Sequence, residues 1–357
     1  MPELNEIQKE TLDILGHAFT KGASDIHFEP QPKGVYVRFR VEGICRDIRI
    51  IEPERKMIFL DETISLFRMR RDRTHVEQSA RFAHPTKPVD YRVSLAPCLT
   101  GPRLCLRLLE RGKEFSLADY PMPSLAKEAL YEALLCSSGL IIISGPTGSG
   151  KTTLLYSALA TINRKEKVVF SVEDPVEYQL PRLNQIPVES HFSFSDAVKN
   201  LMRQDLDVAM IGEIRDSDTA DQTMRAANSG HLVLSTVHAN SAPSVYPKMY
   251  AWGVKEMDVK SGMLYVSAQR LKPKLCQDCL ERDSRPLACT LASKVLGEPF
   301  KPFISSGCSA CNHTGYKGMV LILEFGISKN NELIMQQTIR GEAIKMLREG
   351  AIDAFKA

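Results

Sequence analysis

No apolar run in the sequence is long enough to cross a bilayer, so nothing in it reads as a membrane span. Neither sign of charge dominates. Against 46 Lys and Arg stand 43 Asp and Glu, and the formal +3 is too small to make nucleic acid or an anionic membrane the main partner. No internal repeat or low-complexity segment stands out. The first residues, MPELNEIQKETLDIL, lack the basic flank and apolar core of a signal peptide, so a cytoplasmic, reducing setting is expected. Nine cysteines in such a setting point away from disulfides and toward metal binding, catalysis or burial.

What is present is an ordinary globular composition, 43% hydrophobic and 25% charged, over 357 residues. That length gives room for two or three domains with large cores. The first hundred residues read as a mixed α/β unit. Ile7, Leu12, Leu15 and Phe19 fall at helical spacing, while Val35, Val37, Phe39 and Val41 alternate with polar residues at the period of a half-buried strand. A helix is expected over 54–71 and strands over 90–97 and 103–109. Residues 111–124, RGKEFSLADYPMPS, are the linker candidate. Beyond them the short runs LIIIS, KVVFSV, DVAMIG and HLVLST alternate with helical patterns, which predicts βαβ units on a largely parallel sheet.

GPTGSGKT, residues 145–152, follows one of these runs and precedes a helical pattern, as a P-loop requires. Its glycines let backbone N–H groups face phosphates, and the helix N-terminus adds a favourable dipole. The expected nucleotide-binding residues are Gly145, Pro146, Thr147, Gly148, Ser149, Gly150, Lys151, Thr152 and Thr153. Lys151 would reach the β- and γ-phosphates of ATP, and the Thr152 hydroxyl would ligate Mg²⁺. In DVAMIGEIRD, Glu213 falls just past a buried strand, where a carboxylate can polarise an attacking water. SVEDPVEYQL clusters Glu173, Asp174 and Glu177 after another strand. Glu173 and Asp174 are expected at Mg²⁺, with Glu177 assisting at the metal-water network; taken alone, the cluster reads as a polar turn. His238, in STVHANSA, is a candidate γ-phosphate sensor or a structural histidine.

The order GPTGSGKTT, VEDPVEYQL, MIGEIRD, GHLVLSTVHANSA resembles the Walker A, aspartate box, Walker B and histidine box of the type II secretion and type IV pilus assembly ATPases. ASDIHFEP, VRFRVEG, YRVSLAP and LRLL are similar to that family's N-terminal domain. The resemblance implies an α/β protein with an N-terminal PAS-like domain (1–112), a linker (113–124) and a RecA-like ATPase core (125–271). A four-cysteine zinc subdomain (272–320) and a helical tail (321–357) would follow. It further implies a homo-hexamer acting on an inner-membrane platform protein, without a stable nucleic-acid partner. Arg92 and Arg107 would close over the nucleotide when the N-terminal domain rotates. The pattern departs from the family where Pro102, not Glu, follows Gly101, and the usual extra N-terminal domain is not expected ahead of residue 1.

Cys276 and Cys279 are answered by Cys308 and Cys311. Two CxxC pairs 28 residues apart fit a tetrahedral zinc site better than a redox couple, which needs one pair at a helix start. Gly307 and Gly315 flank the second pair where sharp turns are needed. Such a site is typical of assembly rather than retraction ATPases, by resemblance. The basic run FRMRRDRTH, residues 67–75, is expected to be a solvated helix face.

Overall fold

The computed structural model describes residues 4–163, 165–188, 192–329 and 332–355; residues 1–3 and, in the expected tail, 330–331 and 356–357 lie outside them. The chain divides into two compact units, Met1–Lys113 and Glu114–Ala357.

The first unit comprises α1 (Glu6–Thr20), β1 (Ala23–Gln31), β2 (Gly34–Val41), β3 (Ile44–Ile51), α2 (Lys56–Leu66), β4 (Gln78–Ala83), β5 (Val89–Cys98) and β6 (Gly101–Glu110). Asn5 starts α1 by accepting the Gln8 N–H at 2.9 Å, satisfying one of the free donors of the first turn. The strands form one antiparallel sheet in the order β3-β2-β1-β6-β5-β4. Because strand side chains alternate between faces, Ile26, Phe28, Val37, Phe39, Val93, Leu95, Leu104 and Leu106 all point one way and pack on Leu15, Phe59 and Ile64 of the helices. The other face carries a register row of Arg81, Arg92, Arg107, Asp25 and Arg40.

The helix expected over 54–71 is shorter, because Arg68 takes a left-handed φ of 57° that no helix continues through. The basic run therefore lies in a loop with one 3-10 turn, Arg71–Arg73, rather than on a helix face. Two of its arginines pair with acids, Arg70 with Asp72 and Arg71 with Glu62.

The second unit comprises α3 (Ser124–Leu134), β7 (Gly139–Ser144), α4 (Lys151–Ile162), β8 (Val169–Glu173), β9 (Asn184–Pro187), α5 (Phe194–Leu201), β10 (Val208–Ile211), α6 (Ser217–Asn228), β11 (Leu232–Val237), α7 (Val245–Ala251), α8 (Glu256–Gly262), β12 (Met263–Leu275), β13 (Leu280–Arg282), α9 (Pro286–Leu296), β14 (Phe303–Ser305), β15 (Tyr316–Lys329), β16 (Glu332–Gln337) and α10 (Ile339–Arg348). Its main sheet runs β16-β15-β12-β7-β11-β10-β8-β9. From β12 to β9 neighbouring strands are parallel, and β15 and β16 add an antiparallel edge. β7 and β11 are buried along their whole length, which is why they read as continuous apolar runs.

Two expected divisions are corrected by this packing. Leu117, Tyr120 and Met122 of the expected linker are buried in the same core as Leu130 and Leu154, so the segment from Glu114 belongs to the second unit. Among the described residues the expected helical tail is helical only over Ile339–Arg348. β15 and β16 carry residues 321–329 and 332–337 into the main sheet, since Leu321, Ile322, Leu323 and Phe325 alternate between two covered faces. β12 likewise runs through the division expected at 271/272, so the tetracysteine segment is carried on two strands of the core sheet. Among the described residues no helix is long and apolar enough to cross a membrane.

Candidate active site and tetracysteine centre

The P-loop bridges β7 and α4. Gly145 adopts φ 142°, and a β-carbon there would lie 2.4 Å from the Gln269 carbonyl, so only glycine fits. The loop ends on Gly150, whose left-handed φ of 86° starts α4 without a side-chain cap and leaves the first helical N–H groups free for an anion. Pro146, Thr147 and Gly148 are exposed, Ser149 is buried, and Thr152 and Thr153 are half-buried on the first turn of α4. Lys151 folds back so that its Nζ donates to the carbonyls of Gly145 (2.8 Å) and Pro146 (2.9 Å). Burial lowers its pKa, and the charge of Glu213 opposes the shift.

Two residues that sequence reasoning missed hold the loop from beneath. Gln269 on β12 donates from Nε2 to the Ser149 carbonyl (2.6 Å) and to the Tyr120 hydroxyl (3.2 Å), and Tyr120 donates to the Gly150 carbonyl (3.3 Å). Their partners are backbone carbonyls 120 and 30 residues away, so no local pattern could have pointed to them.

Glu213 follows β10 and His238 follows β11, the strand between β10 and β7. Glu213 Oε2 lies 3.4 Å from His238 Nε2, and its other oxygen is bound by Arg215. Arg215 also reaches Asp174 beyond β8 at 3.2 Å, and the Glu213 carboxylate raises its pKa. Carboxylates and histidine thus meet at the carboxyl ends of adjacent parallel strands, where open α/β sheets bind ligands. Arg215 is a further missed residue; it stands two after Glu213 in the loop that leaves β10.

Glu173 departs from expectation. It is 4% exposed, and its two oxygens accept hydrogen bonds from Tyr156, from Ser171 (2.5 Å) and from Gln185 (2.9 Å). Three hydrogen bonds inside the core hold its two oxygens, an arrangement that favours a buried structural acid over the expected Mg²⁺ ligand. Burial first, and then its charge, push the Tyr156 hydroxyl far above the usual tyrosine pKa. Half-buried Glu177 adds to that shift from beyond the strand. Asp174 remains partly exposed at the strand end. In the first unit Arg92 and Arg107 are exposed register neighbours, and Arg107 pairs with Asp25 at 3.2 Å.

The thiols of Cys276, Cys279, Cys308 and Cys311 come within 4.8 Å of one another. Cys276–Cys308, Cys279–Cys311 and Cys308–Cys311 separations are 3.9, 4.0 and 3.9 Å. A tetrahedron with metal–sulfur bonds of about 2.3 Å has edges of about 3.8 Å, so the donor set fits one four-coordinate ion. The backbone N–H of Cys308 (3.2 Å) donates to Cys311 Sγ and lowers its pKa to about 6, against the burial of the thiol; Gly315 N–H (3.3 Å) adds to the effect. Gly307 and Gly315 both turn through positive φ, 96° and 76°. His313 lies outside the sulfur cluster.

Residues 3–356 match the family described as type II/IV secretion system protein. The chain is 34% identical over 364 residues to type II secretion system protein E of Aeromonas hydrophila, covering 96% of this chain and 72% of that protein. It is 34% identical over 326 residues to the type IV pilus assembly ATPase PilB of Myxococcus xanthus, covering 87% of this chain and 57% of that protein. The chain therefore spans less than two thirds of the second relative. The ATPase DotB of Legionella pneumophila shares the fold, with a TM-score of 0.70 over 99% of this chain and 92% of that chain at 19% identity. The architecture is that of a PAS-like unit followed by a RecA-like P-loop core with a tetracysteine insertion. With a match that takes in both units, the chain belongs to the type II/IV secretion system protein family and is an ATPase of that family.

Proposed function

We propose that this chain is the motor subunit that hydrolyses ATP to drive assembly of a type IV pilus or a type II secretion pseudopilus. It would work as a homo-hexamer on the cytoplasmic side of the inner membrane, against a platform protein there. The observation that carries this reading is the meeting of Glu213 and His238 at 3.4 Å, on strand ends beside the P-loop.

In this reading the backbone of residues 145–150 and Lys151 bind the phosphates, and Thr152 and Thr153 complete the first turn around them. Glu213 takes the proton of the attacking water, held at its strand end by Arg215. His238 senses the γ-phosphoryl group from the same carboxylate, and Glu177 and Asp174 orient water around the metal. Thr152 would hold Mg²⁺, which would supply positive charge to offset that of the phosphates. Arg92 and Arg107 lie side by side on the open face of their sheet, where a rotation of the first unit would bring them to a nucleotide. The four cysteines would hold Zn²⁺ as a closed structural site. The acids paired with the basic run at 67–75 favour this reading over a nucleic-acid translocase.

Glu213→Gln tests it. The purified variant should bind ATP yet turn it over about 10²- to 10⁴-fold more slowly, the usual contribution of a general base. In the native host, surface filaments are then counted by electron microscopy. Bald cells support an extension motor, and excess filaments a retraction motor. Normal filaments with trapped cargo support secretion. No change in either, with ATPase stimulated by DNA or RNA in low salt, would sink the motor reading.

A further inference from the structure

Glu324, in the middle of β15, is a buried acid that no step above uses. Both oxygens are spent on backbone N–H groups from two separate elements. One accepts from Ala242, in the loop that follows β11 and begins at His238; the other accepts from Ile339, the first residue of α10, at 3.2 Å. A carboxylate suits the second partner because a helix N-terminus presents free donors and partial positive charge. The same loop is also tied at two of its carbonyls by cationic side chains. Lys248 donates to the His238 carbonyl at 2.6 Å and Arg270 to the Asn240 carbonyl at 3.0 Å. Of the three ties, Glu324 alone is buried, and it alone bridges the loop to a helix on the far edge of the sheet. Ala242 is itself fully buried, so water cannot replace the contact.

We propose that Glu324 is a positioning residue for hydrolysis: it clamps the His238 loop to the start of α10 and so sets the distance between His238 and Glu213. This rests on the reading of His238 as part of the nucleotide site. The P-loop is held by Gln269 and Tyr120 instead, so nucleotide binding and loop placement are separately supported.

The test is a double-variant cycle on the full chain with Glu324→Gln and His238→Ala. Gln is the same size but puts an amide N–H₂ where one N–H must be accepted, which unseats the loop without opening a cavity. Glu324→Gln should lower kcat about tenfold or more while KM changes less than about threefold, since misplacement near reacting groups costs turnover rather than binding. The double variant should be no slower than His238→Ala alone, because a residue acting through another adds nothing once that one is gone. If Glu324→Gln keeps wild-type kcat, multiplies with His238→Ala, or loses KM and kcat together with thermal midpoint, the residue is merely structural and the proposal fails. Should that variant not fold, Glu324→Asp, which keeps the charge but withdraws it by one methylene, carries the same cycle. A wild-type chain with no ATP turnover would instead overturn the motor reading, an outcome read before any variant is made.

Discussion

Glu173 and Glu213 close neighbouring parallel strands, and burial gives them opposite fates. Glu173 turns into the core and spends its oxygens on Tyr156, Ser171 and Gln185, whereas Glu213 stays half-buried at the strand end between Arg215 and His238. Glu173→Gln should therefore cost about 1–3 kcal/mol in urea unfolding, the usual penalty for disturbing a buried hydrogen bond. The Mg²⁺ concentration for half-maximal ATPase should not move; a tenfold shift would return Glu173 to the metal. Two histidines of the first unit give a pH dependence. His84 Nδ1 accepts the N–H groups of Thr86 (3.2 Å) and Lys87 (3.1 Å), and buried His27 Nδ1 accepts from Arg103 (3.1 Å). Burial lowers the pKa of both below the ordinary 6.5, so the folded state holds fewer protons than the unfolded one in that range. Their contribution to stability is full above about pH 6.5 and falls as the pH drops toward the folded values. The urea midpoint should fall between pH 7 and pH 5.5, and His84→Gln should flatten that slope. At this scale the sequence offers candidates whose chemistry is written in their type and spacing, and the fold places Lys151 at the P-loop, Glu213 beside His238 and the four cysteines in one sulfur cluster. Gln269, Tyr120, Arg215 and Glu324 were not legible as site residues, because what they hold is backbone or a charge that only the fold brings near.

Elements were legible where one face is wet. α1 and β2 show their periods plainly, and the P-loop context was readable from a strand run before it and a helical pattern after it. The pattern misleads where burial is two-sided or a helix ends without a glycine. β15 reads as part of a tail since both its faces are covered, and the α2 pattern runs on past Arg68, where the backbone turns left-handed. The P-loop itself offers a sharp test. In Gly145→Ala the new methyl would meet the Gln269 carbonyl, in a backbone conformation that only glycine takes easily. The loop must then shift, so equilibrium nucleotide binding should weaken by about tenfold or more, in keeping with a lost set of phosphate donors. Binding of a fluorescent ATP analogue checks this, and an unchanged affinity would mean the loop adapts. Gly148→Ala, where no atom lies within 4 Å of the new methyl, is the control for steric conflict.

Across the whole chain, the tetracysteine group is the feature on which stability and metal content meet. Thiols bind metal only after losing their protons, so acid displaces the ion. Dialysed protein should hold about one zinc per chain at pH 7.5 and far less at pH 5, and Cys276→Ser should lower the content at either pH. Metal retained in full by that variant would mean the four sulfurs do not act together. Division into two units was visible as a change from alternating strands to βαβ runs, but the packed stretch around Leu117, Tyr120 and Met122 was not, since its turn residues and prolines look like linker. The ribbon of β12 and β15 has one last consequence. It pairs Ala268 with Glu324 at the level of the nucleotide loops and Leu275 with Tyr316 beside the cysteines, seven residues on, about 24 Å at the usual strand rise. Two hydrogen-bonded strands resist shortening, so the cysteine knuckle is a handle on a stiff rod. The knuckle at one end and Gln269 with Glu324 at the other thus sit on one continuous ribbon.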